Sequence, residues 1–314
     1  MKISGFSFAR NADSLYYPVK ESILSILPIC DEFIIAIGKG SDRTREIVAG
    51  IDNPKVRIID TVWEESAAGG HVFRQQANIA LAACTGDWCF HLQCDEVIHE
   101  DDLPLIQKCC RELLPNHDVE GILLDFRHFW GDYRHHIINH HWFTREIRII
   151  RNGLGIESYK DSQSFRRHGE KLKVVSIPAI VFHYGWVRPP SVMQAKRVAF
   201  TAAGKGVDQA RERHRQDPPE FDYGSLAKVP VYDGSHPAVM ADWIARMDWQ
   251  DKLQYKGRSR VKHHHDKFKY RLLTFIEQKI LGGRQIGGFK NYILIENNPT
   301  IRKRYVAYSD DDLF

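Results

Sequence analysis

The chain has 314 residues, 43% of them hydrophobic and 27% charged, with a formal net charge of +4. That balance supports a buried core in one large domain or two modest ones and excludes a disordered chain, while so small a charge without a recognition motif speaks against a nucleic-acid partner. No apolar stretch is long enough to span a bilayer, and six cysteines without paired zinc spacing read as reduced, buried residues of a cytoplasmic protein.

Residues 2–9 form a short apolar run without the charged flank, long apolar segment or cleavage site of a signal peptide, and they predict a first strand. Residues 11–14 offer caps for a helix over 18–27, in which Val19, Ile23, Ile26 and Leu27 recur at helical spacing. Residues 32–37 predict a second strand bounded by Gly38 and Gly40. Ser41 or Asp42 caps a helix over 44–51, and residues 56–59 make a third strand. A helix over 72–83 places Phe73, Ala77, Ala80 and Leu81 on one side. The run from Gly86 to Glu96 then reads as a tight turn, a buried strand and acid at the strand's end. Strands alternating with short helices predict an α/β fold with a mostly parallel sheet and helices on both faces. Ligands of such sheets bind beyond the carboxyl ends of strands, so Asp95 and Glu96 either face a ligand and its cation or are solvated turn acids.

Taken in order, these residues resemble the nucleotide-sugar half of a family 2 glycosyltransferase with the GT-A fold. The resemblance is carried by Arg10-Asn11 after the first strand, Gly40-Ser41-Asp42-Arg43-Thr44 after the second, Arg74 with Asn78-Ile79-Ala80-Leu81 on a helix, and Gly86-Asp87-Trp88 leading to Gln93-Cys94-Asp95-Glu96 at the place of an Asp-x-Asp motif. It implies a catalytic domain over residues 1–205, with 1–99 the nucleotide-sugar half and 100–205 the acceptor half. The activity it implies is inverting, metal-dependent transfer from a nucleotide-diphosphate sugar, a UDP-sugar by default, to a glycan or lipid-linked acceptor, as in polysaccharide biosynthesis. Arg10, Asn11, Asp42, Arg74 and Gln93 then belong to the nucleotide side, and Asp95 is the principal metal ligand. Two positions depart from the family pattern. Gln93 stands where the first acid is usual, and Gly38 and Lys39 replace acids that help hold the base, which leaves the nucleotide open.

Residues 121–126 and 146–151 predict further strands, and between them lie Phe129, Trp130, Asp132, Tyr133, His135, His136, His140, His141, Trp142 and Phe143. Aromatic faces and hydrogen-bonding groups at this density suit a carbohydrate-lined cleft or a loop folded over its own core. The family needs one carboxylate to take a proton from the acceptor hydroxyl, because a diphosphate leaving group is stabilised by a metal and by cations without protonation. Asp161 occupies roughly the place of that base, with Glu157 as second choice. His183, directly after an apolar strand, resembles the C-terminal metal-binding His of GT-A enzymes. With Asp95 it would hold Mg²⁺ or Mn²⁺, the imidazole favouring Mn²⁺. Arg188, with Lys196 and Arg197 on the following helix, either neutralises the diphosphate or forms a solvated face.

The last third, residues 206–314, reads as a mainly helical, basic extension. Residues 208–223 look like a charged linker, and His236-Pro237 opens a helix. Phe268, Leu272, Leu273, Phe275, Ile276, Ile280 and Leu281 form an amphipathic helix ended by Gly282-Gly283 and flanked by Lys267, Lys269, Arg271 and Lys279. Its apolar side either packs on the catalytic domain or makes peripheral contact with the inner face of an anionic membrane. Two other functions compete. A sugar-phosphate nucleotidyltransferase wants a glycine-rich basic loop after the first strand, which Phe8-Ala9-Arg10-Asn11-Ala12 is not. A catalytically inactive carbohydrate-binding scaffold would be consistent with Gln93.

Overall fold

The computed structural model describes residues 1–63, 71–282, 285–287 and 290–295. Its first part alternates strand and helix: β1 (Ile3–Ala9), α1 (Val19–Ile26), β2 (Glu32–Gly38), α2 (Thr44–Ala49), β3 (Val56–Thr61), α3 (His71–Ala82) and β4 (Trp88–His91). β1 pairs in parallel with β2 and with β4, and β2 pairs in parallel with β3. Burial on both faces explains the unbroken apolar runs. Ile35 and Ile37 join the core containing Ile23 of α1 and Val48 of α2, whereas Ile34 and Ala36 join the opposite core with Ala80 of α3.

The chain continues through β5 (Glu96–Ile98), α4 (Leu103–Leu113), β6 (Gly121–Trp130), β7 (His136–Ile137), β8 (Arg145–Arg151), β9 (Ile156–Tyr159), β10 (Ser164–Arg167) and β11 (Glu170–Trp186). The strand order is β3-β2-β1-β4-β8-β6-β11-β10-β9. β8 is antiparallel to β4 and to β6, and β6 is parallel to β11, so between β3 and β11 only β8 is reversed. This is the mixed α/β architecture, a mostly parallel sheet flanked by helices, expected of the GT-A fold. The sequence puts His183 directly after an apolar strand, but it lies inside β11, which runs unbroken from Glu170 to Trp186. Its pairing with β6 slips between Ser176 and Ile180, where Pro178 has no N–H to give the ladder.

Beyond β11 come α5 (Pro190–Lys205), α6 (Val207–His214), α7 (Ala241–Ala245), α8 (Phe268–Lys279) and β12 (Tyr292–Leu294), which pairs with β11. Helix α6 occupies the start of the predicted linker. It buries only Ala210, so it carries no apolar period to read. A further core joins Phe129, Trp130 and Tyr184 to Phe221, Tyr223 and Trp249. Trp130 therefore serves packing, its Nε1 donating to the Tyr223 carbonyl at 3.0 Å. Asp132 caps its own turn, accepting from the backbone N–H groups of Arg134 and His135. All six cysteines are free and buried. Among the described residues no helix is long and apolar enough to cross a membrane. Gly283 and the end of the predicted basic extension, residues 296–314, lie outside the described residues.

Candidate active site

Asp95 sits where β4 has just ended and β5 is about to begin. Backbone and thiol contacts fix this turn: Ser7 Oγ donates to the Leu92 carbonyl at 2.5 Å, Cys94 Sγ donates to the Phe8 carbonyl at 3.0 Å, and the Tyr184 N–H donates to the Asp95 carbonyl at 2.8 Å. The Asp95 carboxylate is 5% exposed and faces a cleft of about 770 Å³. Three basic groups converge on its Oδ2: Lys196 Nζ at 3.2 Å, and Arg188 Nη2 and His183 Nε2 each at 3.9 Å. Burial alone would raise the acid's pKa, yet the positive charges of Lys196 and Arg188, with the Lys196 hydrogen bond, bring it down to about 2. Burial also lowers Lys196, to about 8. Lys196 and Arg188 lie over the same Tyr17 ring, at 4.9 and 4.5 Å from its centroid, and each is held by a carbonyl, that of Gly185 for Lys196 and of Leu15 for Arg188.

A histidine relay sets the chemistry of His183. His128 Nε2 lies 2.7 Å from the Phe143 carbonyl, which can only accept, so that nitrogen carries the proton. His128 Nδ1 is then the acceptor for His183 Nδ1–H at 2.8 Å, and His183 Nε2 is left with a bare lone pair toward Asp95. Burial lowers the pKa of both rings, which keeps them neutral. Gly185 completes the cradle, since a Cβ there would fall 2.5 Å from His183 Nε2 and 2.8 Å from Asp95 Oδ2. One carboxylate oxygen and one imidazole lone pair 3.9 Å apart are donors that fit a divalent cation. Among the described residues no third His, Cys, Asp or Glu joins them, so other oxygens would have to come from a ligand or water.

Gln93 and Glu96 are turned to other work. Gln93 Nε2 donates to the Ser162 carbonyl at 3.1 Å, fastening residues 160–163 to the floor of the cleft. Glu96 is taken by Arg148 through two hydrogen bonds of 2.6 and 2.7 Å, both side chains being 1% exposed, and Arg148 also donates to the Gln163 carbonyl. Lys160 and Ser162 adopt positive φ, a tight reversal that puts Asp161 on the cleft wall. Glu157 is exposed on β9 and does not line the cleft.

On the other flank, Asn11 at positive φ accepts from the Ser41 N–H through Oδ1 at 2.9 Å, joining the turns that follow β1 and β2. Asp42 accepts from Ser14 N and from Thr44 N and Oγ1, and these hydrogen bonds lower its pKa against the opposing effect of partial burial. It orders the turn and is not in the cleft wall. Arg10 lines the cleft with its guanidinium 5.6 Å from the Trp63 ring. Arg74, half-buried on α3, and Arg188 are not cleft-lining, although Arg188 reaches Asp95. Sequence reading missed Arg148, His128 and an aromatic wall of Phe8, Trp63, Phe73 and Phe200, in which Phe73 stacks on Phe200 at 5.5 Å. Gly38 is the one available signal for that wall, because any Cβ there would overlap the Trp63 indole.

No protein-family model and no curated protein matches this sequence. The chain is similar to solved structures of S. aureus TarS, with 14% identity over 65% of each chain and a TM-score of 0.39 for residues 1–349 of that protein, and 16% identity and a TM-score of 0.40 over 69% of this chain and 44% of that one for a longer form. It is also similar to glucosyl-3-phosphoglycerate synthase from Mycobacterium tuberculosis, solved with Mn²⁺, UDP and glucosyl-3-phosphoglycerate, at 18% identity, a TM-score of 0.29, and 41% and 45% of the two chains. The chain thus spans less than two thirds of the length of these proteins as first matched. By its strand order, with β8 alone reversed between β3 and β11, the chain has the mixed α/β fold expected of a GT-A protein.

Proposed function

We propose that this protein is an inverting glycosyltransferase that moves a sugar from a nucleotide diphosphate to a hydroxyl of a glycan or lipid-linked acceptor. The observation that carries this reading is the convergence of Lys196, Arg188 and the bare His183 Nε2 on Asp95, at the strand ends of a cleft that also holds Asp161. A cation-rich cradle beside a general-base candidate suits a reaction whose leaving group gains negative charge.

In this reading the diphosphate lies beside Lys196, with Arg188 behind Asp95, and the nucleoside lies toward Arg10, Asn11 and the Trp63–Phe73–Phe200 wall. Asp161 accepts the proton of the acceptor hydroxyl as the acceptor oxygen bonds to the anomeric carbon. The bond from that carbon to the diphosphate oxygen breaks with its electron pair on the leaving group. Lys196 meets that charge with an ammonium already held by the Gly185 carbonyl, and Arg188 adds its positive charge from the buried side of Asp95, so little reorganisation is required. Asp95 and His183 would hold Mg²⁺ or Mn²⁺, which when bound supplies Lewis-acid stabilisation of the diphosphate. Gln93 keeps Asp161 in place by its hold on Ser162.

Incubation with a panel of nucleotide-sugar donors, followed by detection of released sugar and nucleotide diphosphate, tests the proposal. Slow turnover of at least one donor is expected, with an inverted anomeric configuration in the product. Release of a nucleoside monophosphate with sugar phosphate, or no turnover of any donor, would contradict it.

A further inference from the structure

Helix α8 is mounted with its polar side inward. Phe268, Leu272 and Phe275 share one helical side at spacings of four and three, the pattern that normally faces a core. The attachments are polar instead. Glu277 Oε1 accepts from His140 Nδ1 at 2.6 Å and from the Ile286 N–H at 2.7 Å, Thr274 Oγ1 accepts from the His140 N–H at 2.9 Å, and Tyr270 stacks on His140. Glu277 is 3% exposed, whereas Phe268 is 79%, Phe275 59% and Ile280 67% exposed, with Leu272, Leu281 and Ile286 also outward.

A contiguous apolar row left facing water is unfavourable by about 25 cal/mol for each Å² that could be covered, and such rows mark interaction surfaces. The charges around this one share a sign. Lys267, Lys269, Arg271 and Lys279 are exposed beside it, and the one acid of residues 267–281, Glu277, is turned inward to His140. A two-fold pairing of α8 with a second copy would set those cations against their own images. An anionic surface meets both features at once.

We propose that α8 docks on an anionic lipid surface, with Phe268, Leu272, Phe275 and Ile280 entering the acyl boundary and Lys267, Lys269, Arg271 and Lys279 at the headgroup phosphates. The surface is separate from the cleft and does not depend on the reaction assigned to it. The full chain should co-sediment with vesicles of phosphatidylcholine mixed with phosphatidylglycerol and stay in solution with phosphatidylcholine alone. Replacing Lys269 and Arg271 together by Gln should weaken binding roughly tenfold or more, and Phe275→Asp should abolish it. Because these side chains point outward, the variants should unfold at the wild-type temperature. Equal recovery from both vesicle types, recovery from neither, or a dimer that Phe275→Asp dissolves would overturn the proposal.

Discussion

Lys196 Nζ lies 3.2 Å from Asp95 Oδ2, joining α5 to the end of β4 across 101 residues of sequence. The ammonium is buried, over an aromatic ring and within reach of the cradle, where an incoming diphosphate would find it already oriented. A charge-assisted hydrogen bond contributes about 1.5–3 kcal/mol, so Lys196→Met should weaken nucleotide-diphosphate binding roughly 10- to 100-fold. Lys196→Arg should lose less. Calorimetric titration decides the matter, and unchanged affinity in the Met variant would remove Lys196 from the site.

Asp161 and Glu157 are separated by their surroundings, one on the cleft wall and the other exposed on β9. Asp161→Asn should leave nucleotide-diphosphate affinity within about twofold while lowering transfer by roughly 10²–10⁴, the range for loss of a general base. Glu157→Gln should transfer at the wild-type rate. A transfer-competent Asp161→Asn enzyme would assign the base elsewhere.

The Glu96–Arg148 pair is buried at 1% exposure on both sides. Removing one partner strands the other charge, and Glu96→Gln or Arg148→Met should each cost about 3–5 kcal/mol of stability. Replacing both by apolar residues should recover much of that loss. Thermal unfolding of the two single variants and the double variant measures the coupling. Additive losses would show that the pair is not acting as a unit.

His91 supplies a pH dependence with a definite sign. Burial, with a smaller contribution from Arg148, lowers its pKa to about 3, against the pull of the Phe6 carbonyl. The folded chain therefore leaves His91 neutral where the unfolded chain, with an ordinary histidine near 6.5, binds a proton. Stability is then retained above about pH 6.5 and falls as pH drops toward about 3, by up to about 1.4 kcal/mol per pH unit from this group. His136 and His236, each lowered to about 4 with burial as the largest cause, act in the same direction. Urea denaturation across this range should show the fall, with a slope smaller by up to one proton in His91→Gln. An unchanged slope in that variant would mean that His91 does not titrate as described.

The sheet was legible in the sequence because its strands are short apolar runs punctuated by Gly38, Gly40 and Gly86, and because helical spacing survives in α1 and α3. Asp95 was legible for a related reason: an acid at a strand end has few other places to face. Its companions were not, since His128, Arg148 and the Trp63–Phe73–Phe200 wall meet only through strand order that no local pattern encodes. His183, expected just after a strand, lies inside β11, whose pairing with β6 only slips in register around Pro178. Helix α6 lacked an apolar period, Trp130 falls to the core-packing side of the two alternatives the sequence left open, and α8 has the expected period with its apolar side outward, set by Glu277 and His140.

The central claim is that the cradle of Asp95, His183, Lys196 and Arg188 receives a nucleotide diphosphate and its cation. Titrating nucleoside diphosphates into the wild-type chain and into Asp95→Asn, each with and without Mn²⁺, tests it most directly. At least one nucleotide should bind the wild type more tightly with Mn²⁺ than without it, and that gain should vanish in Asp95→Asn. Failure of every nucleotide diphosphate to bind, or a Mn²⁺ gain that Asp95→Asn leaves intact, would contradict the account.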